Sequence, residues 1–273
     1  MSYVDQLFGL EGTNVVITGG AGVIAGAMGE ALVNAGANVC LWGRGRSHPV
    51  QDAVDALVEK TGKKEQVYGV TVDTTEEAET ERALRETEES MGVPKVLVNG
   101  VGGNKGKADF VNIDVETFED VLRMNLVAGL VVPTKIFSRY WIDKGMSASI
   151  INMSSMSSYT PLSGVWAYDA AKSATLNLTM ATAKEFAPKG IRVNGIAPGF
   201  FIGYQNKALL IKNEETGELT DRGQQVIDHT PYGRFGKFDD LYGVTLFLAS
   251  EKASGFITGV TIPVDGGYLT HNI

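Results

Sequence analysis

Short apolar runs alternate along this chain with longer segments in which apolar residues recur at helical spacing. The runs are rich in β-branched residues and nearly continuous in apolar character, as strands buried on both faces require. They lie at residues 14–18, 38–42, 66–72, 96–99, 149–153, 192–197 and 261–264. Seven strands that alternate with helices predict one parallel seven-stranded sheet with helices on both faces, a doubly wound α/β fold.

Residues that favour helix ends fall between these strands. Pro49 suits the first turn of a helix, and Thr74 with Glu77 has the spacing of a capping box. Gly36, Gly62 and Gly92 stand where helices should stop. These positions support the predicted alternation of strands and helices.

One domain is expected over residues 1–273, because no internal repeat, low-complexity tract or Pro/Ser-rich linker divides the sequence. The one interruption is residues 203–232, "GYQNKALLIKNEETGELTDRGQQVIDHTPY", a polar stretch between the sixth strand and the next helix. We call it the insert and interpret it as a lid over the substrate.

Charge and composition limit the classes of partner. The net charge is −8, which disfavours nucleic acid and acidic membrane surfaces, so a small molecule is the expected ligand. The first residues lack the apolar stretch of a signal peptide, and no apolar run approaches the ~20 residues of a membrane span, so a cytoplasmic location is expected. No metal site is expected, because His48, His229 and His271 lack ligand spacing.

A glycine-rich stretch, "TGGAGVIAG", follows the first predicted strand and precedes a helical segment. Its spacing is not that of the usual dinucleotide fingerprint, G-x-G-x-x-G. Gly19, Gly20 and Gly22 can nevertheless take positive φ, and a helix that begins near Val23 directs its dipole at a pyrophosphate. Whether the loop binds one depends on residues further along the sequence.

The stretch "NMSSMSSYTPLSGVWAYDAAKSA" carries a chemical arrangement. Tyr168 and Lys172 are four residues apart, hence on one face of a helix, and Ser155 precedes the tyrosine by thirteen residues at a strand end. A lysine ammonium near a phenol favours the phenolate, so we expect a lowered tyrosine pKa and proton transfer near neutral pH. Ser155 can hydrogen-bond the reacting carbonyl oxygen.

Six motifs in order make the sequence resemble the short-chain dehydrogenase/reductase family over essentially its whole length: "NGVGG", "RMNL", "INMSS", "YDAAK", "RVNGIAPG" and "PVDGG". The resemblance implies a Rossmann-type fold and a nicotinamide cofactor. It implies that Tyr168 is the catalytic acid/base, that Ser155 orients the substrate carbonyl, that Lys172 also holds the nicotinamide ribose, and that Asn125 anchors a water in a proton relay. The implied cofactor-binding residues are Gly19, Gly20, Gly22, Val23, Ile24, Asn99, Gly100, Tyr168, Lys172, Pro198 and Gly199.

Two departures from the family pattern, T-G-x-x-x-G-x-G and a threonine five residues after the proline of P-G, are visible. The glycine loop is one residue shorter, and Gly203 stands where the threonine hydroxyl would contact the cofactor. Together with "NGVGGN", "APGFF", "QNKALL" and "HTPYGRFG", the short loop resembles those family members that are D-mannonate oxidoreductases, or fructuronate reductases. These enzymes interconvert the keto group of D-fructuronate and the alcohol of D-mannonate.

Other functions on the same scaffold remain open. A gluconate 5-dehydrogenase or a 3-ketoacyl-carrier-protein reductase would share these motifs, although a carrier-protein reductase needs a basic rim that a net charge of −8 disfavours. A non-catalytic dinucleotide sensor is a further alternative. It is weakened because Asn125, Ser155, Tyr168 and Lys172 are all present, and a sensor needs no such set.

The second strand ends at Gly43-Arg44-Gly45-Arg46, where an NAD enzyme typically places an acidic residue for the ribose hydroxyls. NADP(H) is therefore favoured, with NAD(H) as the alternative. Arg44, and with it Arg46, can present a planar cation to a 2′-phosphate. Asp73 is expected near the adenine.

A keto sugar acid would need local donors for its carboxylate. Asn104 and Lys105 follow the fourth strand and Gln205 and Asn206 begin the insert, so these four residues are the predicted substrate contacts. The family resemblance also implies a homotetramer, with the helix that contains Tyr168 and residues 264–267 at its interfaces.

Overall fold

A seven-stranded parallel sheet runs through the computed structural model, which describes residues 2–46, 49–203 and 206–271. The strands in the described residues are β1 (Asn14–Thr18), β2 (Asn38–Gly43), β3 (Val67–Thr71), β4 (Val96–Asn99), β5 (Ala148–Met153), β6 (Ile191–Pro198), β7 (Ile211–Asn213), β8 (Glu218–Leu219) and β9 (Thr261–Val264). The sheet order is β3-β2-β1-β4-β5-β6-β9, while β7 and β8 form a separate hairpin. The predicted seven-stranded doubly wound fold is confirmed.

Helices cover both faces of the sheet, as parallel strands require. They are α1 (Tyr3–Phe8), α2 (Val23–Asn34), α3 (Val50–Thr61), α4 (Glu77–Met91), α5 (Val115–Leu122), α6 (Val132–Asp143), α7 (Trp166–Phe186), α8 (Lys207–Leu210), α9 (Asp221–Asp228), α10 (Tyr242–Ala249) and α11 (Glu251–Ser254). A π-helical segment, Arg123–Val131, joins α5 to α6 without a break.

Alternate residues of β1 enter two different cores, because successive side chains of a strand point to opposite faces. Val15 and Ile17 pack with α2, α3 and α10, whereas Val16 packs with α4 and α6. The second core is filled by aromatic rings, with Phe137 lying 5.4 Å from both Trp42 and Trp141.

Most predicted helix ends are found. Gly36, Gly62 and Gly92 have φ of +99°, +69° and +86° beyond the last turns of α2, α3 and α4. The expected capping box at α4 is wrong: Glu76 precedes the helix, and the Thr74 hydroxyl instead donates to the Ala128 carbonyl at 2.9 Å. A long-range partner for the hydroxyl has replaced the local one.

The continuous helical stretch Val115–Asp143 has the length and composition of a membrane span. Most of its apolar part is nevertheless buried inside the fold, where Phe137 and Trp141 are fully enclosed. It is the core helix of the second face.

The insert has a structure of its own in its described residues, with α8, the β7–β8 hairpin and α9 in succession. Leu210 and Val226 are its buried apolar residues. A Cβ at Gly223 would lie 2.1 Å from the Leu210 carbonyl oxygen, so α8 and α9 approach as closely as their backbones allow. Gln205, a predicted substrate residue, lies outside the described residues.

Candidate active site

The candidate site lies at the carboxyl ends of β1, β4, β5 and β6, where the strand order reverses between β1 and β4. The loops that leave β1 and β4 touch each other. Gly19 has φ of +67°, and a Cβ there would lie 2.8 Å from backbone atoms of Gly100. The Gly100 amide donates to the Thr18 hydroxyl at 3.1 Å. Glycines at both positions therefore allow two loops to share the space beside the predicted cofactor.

The glycine loop after β1 leaves the first turn of α2 open. Among its three predicted glycines Gly19 alone has positive φ; Gly22 is extended at −76°, and Gly20 is needed because a Cβ would lie 2.7 Å from Leu41 Cβ. Gly22 gives α2 no side-chain cap, and the first turn carries no acidic residue. An uncapped helix amino end in a bare glycine loop fits the pyrophosphate of a dinucleotide.

Ser155, Tyr168 and Lys172 come together on β5 and α7. Ser155 begins a short 3-10 turn after β5, and its hydroxyl accepts a hydrogen bond from the Ser157 amide at 3.1 Å. Tyr168 stands in the first turn of α7, with the Lys172 ammonium 5.6 Å from its ring centre. Lys172 is 4% exposed and donates to the Met153 carbonyl at 2.8 Å. The carbonyl of the last residue of β5 thus holds the Lys172 ammonium in position.

Burial sets the charge state of this pair. Loss of water lowers the pKa of Lys172 to about 8, so its ammonium is mainly protonated at neutral pH and titrates just above it. Burial also raises the pKa of Tyr168, and the negative charge of Asp169 raises it further. A hydrogen bond with the Ser155 hydroxyl acts in the opposite direction but is the smaller effect. The expected lowering of the tyrosine pKa is therefore not found, because desolvation outweighs the hydrogen bond with Ser155.

Asn125 lies in the π-helical segment and is 1% exposed. Its side-chain amide donates to the Gly103 and Val121 carbonyls at 2.8 Å, and its Oδ1 accepts from the Gly103 amide at 3.1 Å. A Cβ at Gly102 would lie 2.7 Å from Asn125 Oδ1 and 3.1 Å from Lys172 Nζ. Asn125 thus holds the loop after β4 against Lys172, and its role in a proton relay stays a prediction.

Asn99 faces the sheet interior. Its amide donates to Thr134 on α6 at 2.9 Å and to Asn152 on β5 at 2.8 Å, and Asn152 donates in turn to Thr179 on α7. This buried ladder ties β4 and β5 to the helix that carries Tyr168. The ladder uses both donor hydrogens of the Asn99 amide, and the predicted contact of Asn99 with a cofactor stays a prediction.

Two arginines follow β2, and of these Arg46 has an ion-pair partner among the described residues while Arg44 has none there. Arg46 forms an ion pair of 3.1 Å with Asp73 and is 71% exposed on its side chain. Partial burial opposes ionisation of Asp73, but hydrogen bonds from Thr75 and the charges of Arg44 and Arg46 lower its pKa overall. Arg44 is exposed and has no ion pair within the described residues. Arg44 is the arginine available to a phosphate.

Beyond β6 the backbone packs tightly on its neighbours. The Gly199 amide donates to the Val264 carbonyl at 3.0 Å, and a Cβ at Gly199 would lie 2.7 Å from Asp265 Cα. A Cβ at Gly203 would lie 2.9 Å from a methyl group of Val23, at the open end of α2. The glycine in place of the family's threonine therefore matches this close approach.

The expected substrate contact by Asn206 is not supported by its geometry. Its Oδ1 accepts from the Gly203 amide and its Nδ2 donates to the Phe201 carbonyl, each at 2.8 Å. Both polar atoms are engaged because the side chain closes the turn that enters the insert. Asn206 is a positioning residue of this turn.

Asn104 and Lys105 line a cavity of about 230 Å³ beside the first turn of α7. The Asn104 amide donates to the Gly106 carbonyl at 2.7 Å, and Lys105 pairs with Asp120 at 2.9 Å. Two further lining residues, Lys107 and Trp166, were missed at the sequence level. The adjacent "KGK" pattern and the nearness of Trp166 to Tyr168 were the available signals.

Within residues 2–46, 49–203 and 206–271, no group of His, Cys, Asp and Glu side chains is arranged to hold a metal ion. His48 lies outside this part of the sequence. His229 in the insert lies with its ring 4.8 Å from that of His271.

Comparison with known proteins places this geometry among oxidoreductases. A family model described as enoyl-(acyl carrier protein) reductase matches residues 19–269. The uncharacterized oxidoreductase UxuB of Bacillus subtilis is 37% identical over 277 residues, which cover 96% of this chain and 97% of the relative.

Two solved structures resemble this protein over nearly its whole length. A Haemophilus influenzae structure with bound NAD, provisionally named a D-mannonate oxidoreductase, has a TM-score of 0.87 and 32% identity, covering 99% of both proteins. A gluconate 5-dehydrogenase from Burkholderia cenocepacia, in complex with NADP and tartrate, has a TM-score of 0.86 and 28% identity. It covers 99% of this protein and 100% of its own length.

Proposed function

Since this protein belongs to the short-chain dehydrogenase/reductase family, we propose that it interconverts a keto sugar acid and its alcohol, with D-fructuronate and D-mannonate as the pair. As a member, it is an NAD(P)-dependent oxidoreductase that acts on a CH–OH group. The observation that carries the chemistry is Tyr168 with Lys172 one helical turn away and buried. The substrate pair is supported by the fit to the Haemophilus structure.

The nicotinamide dinucleotide, when bound, supplies or accepts the hydride. Gly19, Gly20 and Gly22 with the open end of α2 would hold its pyrophosphate, since Gly22 leaves the first-turn amides of α2 without a side-chain cap. The first-turn residues Val23 and Ile24 would supply those amides. Gly100, Pro198 and Gly199, at the ends of β4 and β6, are the further proposed cofactor contacts.

In the direction of reduction, the Tyr168 hydroxyl gives its proton to the oxygen of the substrate carbonyl. Ser155 donates a hydrogen bond to that oxygen and orients it. The Lys172 ammonium stabilises the phenolate left on Tyr168, and a solvent proton restores the phenol. Asn125 keeps the Gly102–Gly103 backbone in place beside the lysine. A relay of the solvent proton past Asn125 completes the proposed cycle.

The test is a comparison of kcat/KM for D-fructuronate, a keto-gluconate and a ketoacyl thioester, each with NADPH and NADH. We expect D-fructuronate to be the best substrate. A higher kcat/KM for the keto-gluconate would favour a gluconate 5-dehydrogenase, the second candidate, which the resemblance to the Burkholderia enzyme supports. Preference for the thioester would contradict the sugar-acid assignment.

For the cofactor we propose NADP(H), because Arg44 at the end of β2 is exposed and has no ion pair with a described residue, so it can meet a 2′-phosphate. The two similar structures hold NAD and NADP respectively, so the choice rests on this residue. Arg44→Ala should raise KM for NADPH about tenfold and leave KM for NADH unchanged, because it removes one charge-assisted contact. Arg46→Ala, which breaks an exposed pair with Asp73, is the matched control.

We also propose a homotetramer in the cytoplasm. Strand β9 forms one edge of the sheet, and Val260 and Phe256 near it are exposed. Light scattering at assay concentration checks the assembly, and a monomer would contradict it.

A further inference from the structure

A cavity of about 230 Å³ opens between the loop after β4, the start of α5 and the first turn of α7. Trp166 and Ala167 form the wall on α7, directly before Tyr168 in sequence. The catalytic steps above use none of its residues. Its position beside the first turn of the catalytic helix makes it the space into which one end of a bound substrate can extend.

The stem of Lys107, an exposed residue, lies against this turn. The Ala108 amide donates to the Gly164 carbonyl at 3.2 Å, and Trp166 Nε1 donates to the Ala108 carbonyl at 2.9 Å. Gly164 has φ of +80°, and a Cβ there would lie 2.7 Å from Lys107 Cγ. The aliphatic part of Lys107 therefore lies on bare backbone, which orders a side chain that is otherwise costly to hold in one place.

The charges around the cavity leave Lys107 without a partner in the described part of the protein. Lys105 is paired with Asp120, with more than half of each side chain exposed. Asp114 is turned to the amino end of α5, where it accepts from the Thr117 amide at 2.9 Å. Lys107 forms no ion pair with a described residue, so its ammonium can receive an anion.

The remaining lining suits a polyhydroxy compound. The Trp166 ring is held edge-on by Phe110 at 5.4 Å and adds, with Phe118, an apolar wall. Asn104 and Asn112 supply amides. An aromatic wall, two amides and one unpaired cation match the C–H faces, hydroxyls and carboxylate of a sugar acid.

We propose that this cavity is the subsite for the carboxylate end of the substrate and that Lys107 binds the carboxylate, which selects sugar acids over neutral sugars. Lys105, whose charge is already paired, contributes less. The proposal rests on the proposed function for the choice of ligand, but the subsite can be tested without turnover.

The direct test is a fluorescence titration of the holoenzyme with D-gluconate and with neutral sorbitol. Trp42 and Trp141 are fully buried, so a change in tryptophan emission on binding reports on Trp166. Lys107→Gln should weaken D-gluconate binding about tenfold, the effect expected for one charged hydrogen bond, and leave sorbitol binding unchanged. Lys107→Arg should restore it, and Lys252→Gln on the exposed α11 is the control.

The kinetic counterpart is a KM for the sugar acid that rises in Lys107→Gln while KM for the dinucleotide stays constant. Equal losses in Lys105→Gln and Lys107→Gln, or an equal loss for sorbitol, would overturn the proposal. If sugar acids are turned over but Lys107→Gln binds D-gluconate normally, the subsite is wrong and the proposed function stands. If no sugar acid is turned over, yet D-gluconate binding depends on Lys107, the proposed function fails and the subsite stands.

Discussion

Near Tyr168 the buried side chains of Asn125 and Lys172 hydrogen-bond backbone carbonyls, whereas in the insert two lysines form ion pairs with glutamates at the surface. The first kind of contact fixes a side chain at one position, because a buried group without its partner costs free energy. The second kind contributes little, since exposed ion pairs are worth ~0–1 kcal/mol. Buried, hydrogen-bonded side chains around Tyr168 thus occur in the same chain as an insert whose exposed ion pairs contribute little to its conformation.

The largest effect is expected when Tyr168, the proposed catalytic acid, is replaced. Tyr168→Phe removes the transferable proton and little else, so kcat should fall by about 10²–10⁴-fold. Dinucleotide affinity and the melting temperature should stay close to the wild-type values. Single-turnover assays and a dinucleotide titration check this, and near wild-type turnover would contradict the assignment of Tyr168.

Gly102→Ala tests the same site by adding a methyl group to a tightly packed contact. The new Cβ would lie 2.7 Å from Asn125 Oδ1 and 3.1 Å from Lys172 Nζ, so both buried side chains must move. We expect kcat to fall about 10- to 100-fold, because small displacements of positioned groups are costly. The control is Gly243→Ala in α10, where a Cβ meets nothing within 4 Å. Equal activity in the two variants would show that the region is not rigid.

The pH dependence of reduction tests the charge of Lys172. Its pKa is lowered to about 8 by burial, so the ammonium is present below pH 8 and is lost as the pH rises through that value. The pKa of Tyr168 is raised, so the phenol stays protonated over this range. Accordingly, kcat/KM should fall by about tenfold per pH unit above pH 8. Lys172→Arg, which stays charged, should move this limb to higher pH; an unmoved limb would point to another group.

The smallest effects belong to the insert. Asn206→Ala removes two hydrogen bonds that close the entry turn, so KM for the sugar acid should rise by about three- to tenfold with kcat nearly constant. Lys212→Ala breaks an exposed pair with Glu218 and should change neither KM nor stability measurably. Proteolysis within residues 207–228 should quicken in Asn206→Ala alone. Equal behaviour of the two variants would remove the special role of Asn206.

Part of the fold and part of the candidate site could be predicted from the sequence. The strand limits of β1, β4 and β9 were predicted correctly, because buried parallel strands are marked by continuous apolar runs. The grouping of Tyr168 with Lys172 followed from helical spacing alone. Such features depend on local periodicity, which a sequence displays directly.

Spacing in the sequence does not place side chains that bond a distant residue or a neighbouring backbone carbonyl. Thr74 bonds Ala128 rather than its own helix, and Asn206 turns to the Phe201 carbonyl rather than outward. The β7–β8 hairpin within the polar insert was also unforeseen. No spacing rule reports on Lys107, because its environment depends on contact with Gly164. These choices are made by tertiary contacts.

The π-helical segment Arg123–Val131 has a consequence for how this sequence can change during evolution. Here the Val132 amide bonds the carbonyl of Val127, five residues back. A turn closed five residues back holds one residue more than an ordinary α-helical turn, so loss of one residue between Asn125 and Val132 would let an α-helix form with the flanking positions nearly unrotated. Asn125 would then keep its side of the helix, and Phe137 and Trp141 would stay in the core. A residue lost from the regular turns of α6 before Phe137 would instead rotate one group against the other by about 100°, so gaps in this helix are expected at the π-helical segment rather than beyond it.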